Sequence, residues 1–84
     1  YTIEFSPTAL RDYKKLPENA VEGLNLAIDS LALNPRPSGY KKLKGRDAYR
    51  IRIGDYRIIY EIHDKILTIV IFRIRHRKDV YRDI

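Results

Sequence analysis

Eighty-four residues are enough for one small domain and too few for two, so residues 1–84 are expected to form a single domain. The chain has no cysteine, which excludes the disulfide-stapled secreted scaffolds. It shows neither an apolar run of membrane-spanning length nor a signal-peptide pattern, so a cytoplasmic setting without membrane contact is expected.

The net charge of +6 is unevenly spread. Residues 1–40 hold four basic and five acidic residues, whereas residues 41–84 hold thirteen basic and six acidic. A basic half on a near-neutral half points to nucleic acid, an acidic protein partner, or both.

Thr2 to Phe5 alternates like a strand. Ser6-Pro7 is a helix start, with Ser as cap and Pro at the first helical position. Leu10, Tyr13 and Leu16 predict the inner stripe of that helix, with Arg11, Asp12, Lys14 and Lys15 outside. Pro17 ends it. A second helix is expected from Glu18 to Leu33, its inner stripe being Val21, Leu24, Ile28 and Leu31. Asn34-Pro35-Arg36-Pro37 stops it, and the two helices form an αα-hairpin.

Residues 38–47 read as a loop carrying Lys41, Lys42, Lys44 and Arg46. Next comes AYRIRIGDYRIIYEI, residues 48–62, with a two-residue Gly54-Asp55 loop between Tyr- and Ile-rich runs, a tight hairpin signal. That register sets Ile53 against Tyr56 and Arg52 against Arg57. Strand alternation then collects Arg50, Arg52 and Arg57 on one face. Like charges directly opposite one another destabilise a sheet, so such a cluster suggests a bound anion.

A final strand is expected from Ile66 to Ile74 after a three-residue turn at His63-Asp64-Lys65. It sets Ile71 against Arg57, sends Val70, Phe72 and Ile74 toward the helices, and leaves Arg73 and Arg75 on the arginine face. A two-residue turn would reverse the faces and bury unpaired charge. Residues 76–82 read as a turn or short helical end. The fold expected is α+β: an N-terminal strand, an αα-hairpin, then a three-stranded antiparallel meander with both helices on one face.

The chemistry on the open face is restricted. Two histidines without cysteine make no common metal site, and neither a nucleophilic Ser motif nor a Gly-rich phosphate loop is present, so no metal or cofactor is expected. Arg, Lys, Tyr and His remain. Guanidinium forks bind phosphate bidentately, stay charged, and can stabilise a phosphorane as charge builds on its oxygens. RNA supplies its own nucleophile in the 2′-hydroxyl. The proton acceptor is left between His76, which titrates near neutrality, and Tyr81, which needs a lowered pKa. Tyr81 could equally stack on a base, and Arg57 could pair with Glu61 or Asp55.

The segments KKLKG, AYRIRIGDYRIIYEI and IFRIRHRKDVY, preceded by an αα-hairpin, resemble the RelE/ParE superfamily of bacterial toxins over nearly the whole chain. The resemblance to the RelE branch implies a ribosome-dependent endonuclease that cuts mRNA in the decoding site by metal-free transesterification. It implies a cognate acidic antitoxin that wraps the toxin. The family's site residues fall on Arg50, Arg52, Arg57, Arg77 and Tyr81, with His76 as the preferred base. Lys41, Lys42, Lys44, Arg46, Arg73 and Arg75 are expected to contact RNA. Some relatives carry lysines where this chain has Arg50 and Arg52; arginine does not exchange a proton, so here those positions bind and stabilise charge. The competing readings are a ParE-like inhibitor of DNA gyrase without nuclease activity, and a plain nucleic-acid-binding module.

Overall fold

Ser6 acts as its context predicts. In the computed structural model, which describes residues 1–78, it joins β1 (Thr2–Phe5) to α1 (Pro7–Lys14). Its Oγ accepts the Ala9 N–H at 3.0 Å, satisfying one orphan donor of the first turn. Pro7 has no N–H to satisfy. The inner residue of α1 is Ala9, fully buried, and not Leu10, which is 44% exposed. Asp12, expected outside, also turns inward. Tyr13 packs edge-on against Phe5, centroids 5.7 Å apart. α2 spans Glu18–Leu33 as expected, with Leu24, Ile28 and Leu31 buried and Val21 half-buried.

The remaining strands are β2 (Lys41–Lys42), β3 (Tyr49–Ile53), β4 (Tyr56–His63) and β5 (Thr68–His76). They form one five-stranded sheet in the order β1-β5-β4-β3-β2. β1 runs parallel to β5 and the other neighbours are antiparallel. The layout is α+β, with two additions to the expected meander. A two-residue strand forms inside the expected 38–47 loop, and β1 joins the sheet at its far edge.

One face of the sheet makes the core. Ile51, Ile58, Tyr60, Ile69, Ile71 and Ile74 pack with Leu24, Ile28, Leu31 and Ala9. Full burial of such aliphatic side chains contributes about 1.5–3 kcal/mol each. Tyr60 is fully buried, and its hydroxyl donates to the Pro35 carbonyl at 2.8 Å, so no polar group is stranded. Burial pushes the Tyr60 pKa up to about 12.

The first hairpin has the expected register: Ile53 lies opposite Tyr56 and Arg52 opposite Arg57. Gly54 has φ +57° while Asp55 keeps negative φ, which matches a II′ turn with Gly at its first central position. The second hairpin differs from expectation. Asp64–Ile66 form a 3₁₀ turn, Leu67 takes left-handed φ of +50°, and β5 begins only at Thr68. His63 pairs with Thr68 and Ile62 with Ile69, so Ile69 and Ile71 face the helices where Val70 and Phe72 were expected. A four-residue turn alone would send the later arginines inward. A bulge reverses this: Tyr60 pairs with Ile71 but Ile59 with Arg73, leaving Phe72 as the extra residue. Past the bulge Ile74 returns to the core, and Arg57 lies opposite Arg75 in place of Ile71.

Around the second turn, Arg36 forks onto the Asp64 carboxylate at 2.9 and 3.3 Å, and the Tyr1 hydroxyl donates to the same group. The Arg36 hydrogen bond, then that from Tyr1, lowers the Asp64 pKa, while the same contacts raise those of Arg36 and Tyr1. Among the described residues no helix is long and apolar enough to cross a membrane.

Candidate functional site

The open face is a set of cross-strand rows. Lys41 lies opposite Arg50, Arg50 opposite Ile59, and Ile59 opposite Arg73. In the next row Arg52 lies opposite Arg57 and Arg57 opposite Arg75. Directly opposed residues in a sheet sit about 4.5–5.5 Å apart, so these cations repel one another. At Arg50 partial burial, and after it the charges of Arg52 and Arg57, draw the guanidinium below its ordinary pKa. An anion laid across the rows would relieve that repulsion.

The rows end at the Gly54-Asp55 turn. There the Arg77 N–H donates to the Asp55 carbonyl at 2.7 Å, and Arg77 Nε lies 3.9 Å from the Asp55 carboxylate. The turn therefore ties down the chain just beyond β5 and brings Arg77 to the arginine rows. Arg52, Gly54, Asp55, Tyr56, Arg57 and Arg77 line a cleft of about 190 Å³. Three guanidinium groups border it against one carboxylate, a setting suited to a phosphodiester.

His76 is not part of this cleft. Its strand partner is Tyr56, and the two rings meet edge-on with centroids 5.1 Å apart. Both line a groove on the helix side with Pro17, Asn19, Ala20, Gly23 and Leu24. The reason is alternation: β5 runs through His76, so His76 and Arg75 project to opposite faces. The expectation that His76 stands beside the arginines came from ending the strand at Ile74. Its Nδ1 instead accepts the Lys78 N–H at 3.1 Å. Tyr81 lies outside the described residues.

The residues expected to touch RNA are divided. Lys41 joins the arginine face, whereas Lys42 pairs with Tyr49 and belongs to the helix side. Lys44 sits in the β2–β3 turn. Arg46, in the same turn, lies over the Phe72 ring at 5.9 Å. Arg73 is already paired: its Nε donates to Asp12 at 2.8 Å, and Asp12 also accepts the Ile74 N–H at 3.0 Å. That pair braces α1 against β5 where β1 ends, so Arg73 acts in the frame of the site. Arg75 lies across from Arg57 in the arginine row. Phe72, expected in the core, is 38% exposed instead. Nothing in strict alternation announces a bulge, so reading the residues alone misses it.

Small size, helices on one face of a mixed sheet and arginine rows on the other define the class: a small α+β protein whose open face is suited to a polyanion. The sequence matches the family described as ParE toxin of type II toxin-antitoxin system, parDE, over residues 3–81, and the chain belongs to the RelE/ParE superfamily of type II toxins. It is 39% identical to toxin RelG of Mycobacterium tuberculosis, with 98% of this chain and 97% of that protein covered. It is 27% identical to the mRNA interferase toxin RelE of Escherichia coli, covering 99% and 92%. The RelBE2 toxin-antitoxin complex of Mycobacterium tuberculosis contains a chain that superposes with a TM-score of 0.82 at 34% identity, covering 92% of this chain and 98% of that one.

Proposed function

We propose that this toxin is an mRNA endonuclease that cuts by attack of a 2′-hydroxyl on the adjacent phosphate. The observation that carries the reading is the convergence of Arg52, Arg57 and Arg77 on one open cleft. The 2′-oxygen loses its proton and bonds to phosphorus, the bond to the 5′-oxygen breaks, and that oxygen takes up a proton. The products are a 2′,3′-cyclic phosphate and a free 5′-hydroxyl.

In this reading Arg57 and Arg77 grip the non-bridging oxygens, and Arg52 and Arg50 add positive potential as charge builds in the transition state. Donors aimed at developing charge are worth about 10²–10³ in rate apiece. Arginine cannot take the nucleophile's proton, and His76 stands on the other face, which leaves Tyr81 as the chain's candidate acceptor. The E. coli relative is an mRNA interferase, which supports mRNA as the target. Because relatives of this chain occur in toxin-antitoxin complexes, an acidic antitoxin is the expected protein partner; the resemblance to the RelE branch makes the ribosomal decoding site the expected place of cutting.

The matched family's ParE description favours a second reading, inhibition of DNA gyrase without RNA cleavage. Primer extension on mRNA from cells briefly expressing the protein separates the two. Breaks within translated codons are expected, and purified toxin should make them with programmed ribosomes. Intact message together with gyrase-dependent DNA damage would replace the nuclease reading with the second.

A further inference from the structure

We propose that Phe72, with Arg46 over its ring, is a nucleobase-stacking subsite beside the arginine rows, and that Glu61 reads the amino groups on the edge of the stacked base. The inference rests on the RNA reading above and names how that face would hold a base.

Phe72 shares a shallow cleft of about 210 Å³ with Arg46, Asp47, Ala48 and Glu61. Glu61 lies on the arginine face, because it alternates on β4 with the core residues Tyr60 and Ile62 in the same phase as Arg57 and Ile59. The cleft therefore opens on the side that carries Arg50, Arg52 and Arg57. Four residues of strand separate Glu61 from Arg57, roughly 13 Å. That is within reach of a nucleotide neighbouring one held in the arginine cleft.

The platform is held from behind. The Ser6 hydroxyl donates to the Phe72 carbonyl at 2.9 Å, and Asp12 accepts from both Arg73 and Ile74 N–H. The bulge that turns Phe72 outward is thus anchored by the first turns of α1. An aromatic face and a guanidinium plane are the two surfaces on which unpaired bases stack. Arg46 already sits 5.9 Å from the Phe72 centroid, so a base entering the cleft would meet both groups. A carboxylate accepts from the amino groups of adenine, cytosine and guanine. Uracil has no amino group: it sets carbonyl oxygens at those positions, which the Glu61 charge repels, and keeps only N3–H between them as a donor. Glu61 is held near its place by His63 Nε2, 3.1 Å away.

The test uses fluorescence anisotropy with labelled single-stranded hexaribonucleotides at low salt. One is intact, and each of the others carries a single abasic position. Wild-type protein should show one position where loss of the base weakens binding roughly tenfold. Phe72→Ala and Phe72→Leu should weaken the intact RNA by a similar factor and lose the abasic penalty, while Phe72→Tyr should keep it. Uracil at that position should bind worse than adenine, and Glu61→Gln should narrow the gap. A wild-type protein indifferent to every base, or an alanine variant that keeps the full penalty, overturns the subsite. Message cleavage is scored separately. Cut message without a Phe72-dependent penalty rejects the subsite alone, and uncut message with the penalty intact rejects the nuclease reading alone.

Discussion

Arg57 and Ile58 are neighbours in sequence and belong to different worlds in the folded chain. Ile58 is fully buried in the common core with Leu24, Ile28 and Leu31, while Arg57 stands on the open face between Arg52 and Arg75. The helix-covered face gains stability from area removed from water. The open face is destabilised by like charges set in rows. A sheet that tolerates the second because the first supports it has separated stability from charge, one face each.

That separation is tested most strongly at the adjacent pair. Arg57→Ala should lower single-turnover RNA cleavage by about 10²–10³-fold and leave thermal stability unchanged or slightly raised. Ile58→Ala should cost about 2–5 kcal/mol in urea unfolding and leave the cleavage rate of the folded fraction near wild type. If the arginine variant loses stability and keeps activity, the two faces are not divided in this way.

Tyr60 extends the test through pH. Its folded pKa lies above the unfolded value of about 10, so its neutral form is favoured by folding. The unfolded chain releases this proton first, so stability falls as pH rises from about 10 to 12, by about 3 kcal/mol in total. Below pH 10 the contribution is fully present. Tyr60→Phe should flatten that alkaline slope in denaturant titrations; an unchanged slope would assign it to other groups.

Asp12 is where the two faces are joined. It is 16% exposed and holds both Arg73 and the Ile74 N–H. Asp12→Ala should destabilise by about 1–3 kcal/mol, chiefly by leaving a donor and a cation without their acceptor. Cleavage by the folded protein should change little, since Arg73 braces the sheet. The smallest effect is expected at His76. From the sequence, His76→Gln would slow cleavage severely; from its place on the helix side, the rate should stay within about threefold of wild type. A loss of a hundredfold would mean that the residue reaches the arginine cleft during turnover.

The two hairpins show how far local reading carries. The first was legible because Gly54-Asp55 leaves one tight geometry and alternation follows from it. The second was not, because residues 63–67 carry no such signal: Leu67, with no glycine's freedom, takes the left-handed conformation there. The expected turn was one residue too short. The arginines nevertheless kept their side, since the bulge at Phe72 contributes the residue that restores the phase. His76 was misplaced for a related reason, its strand being longer than the apolar pattern indicates.

From residue order alone came β1, the two helices and the three long strands, the span of α2, the first hairpin and the clustering of Arg50, Arg52 and Arg57. These rest on capping, helical spacing and period-two alternation, all of which act over a few residues. Tertiary structure decided the place of β1, the bulge, the pairing of Arg73 with Asp12 and the face of His76. The place of β1 and the Asp12–Arg73 pair depend on contacts between segments some sixty residues apart, and the bulge and the face of His76 on how β4 and β5 pair. No local preference encodes such a meeting; it arises when the chain closes around a shared core and each polar group must find a partner.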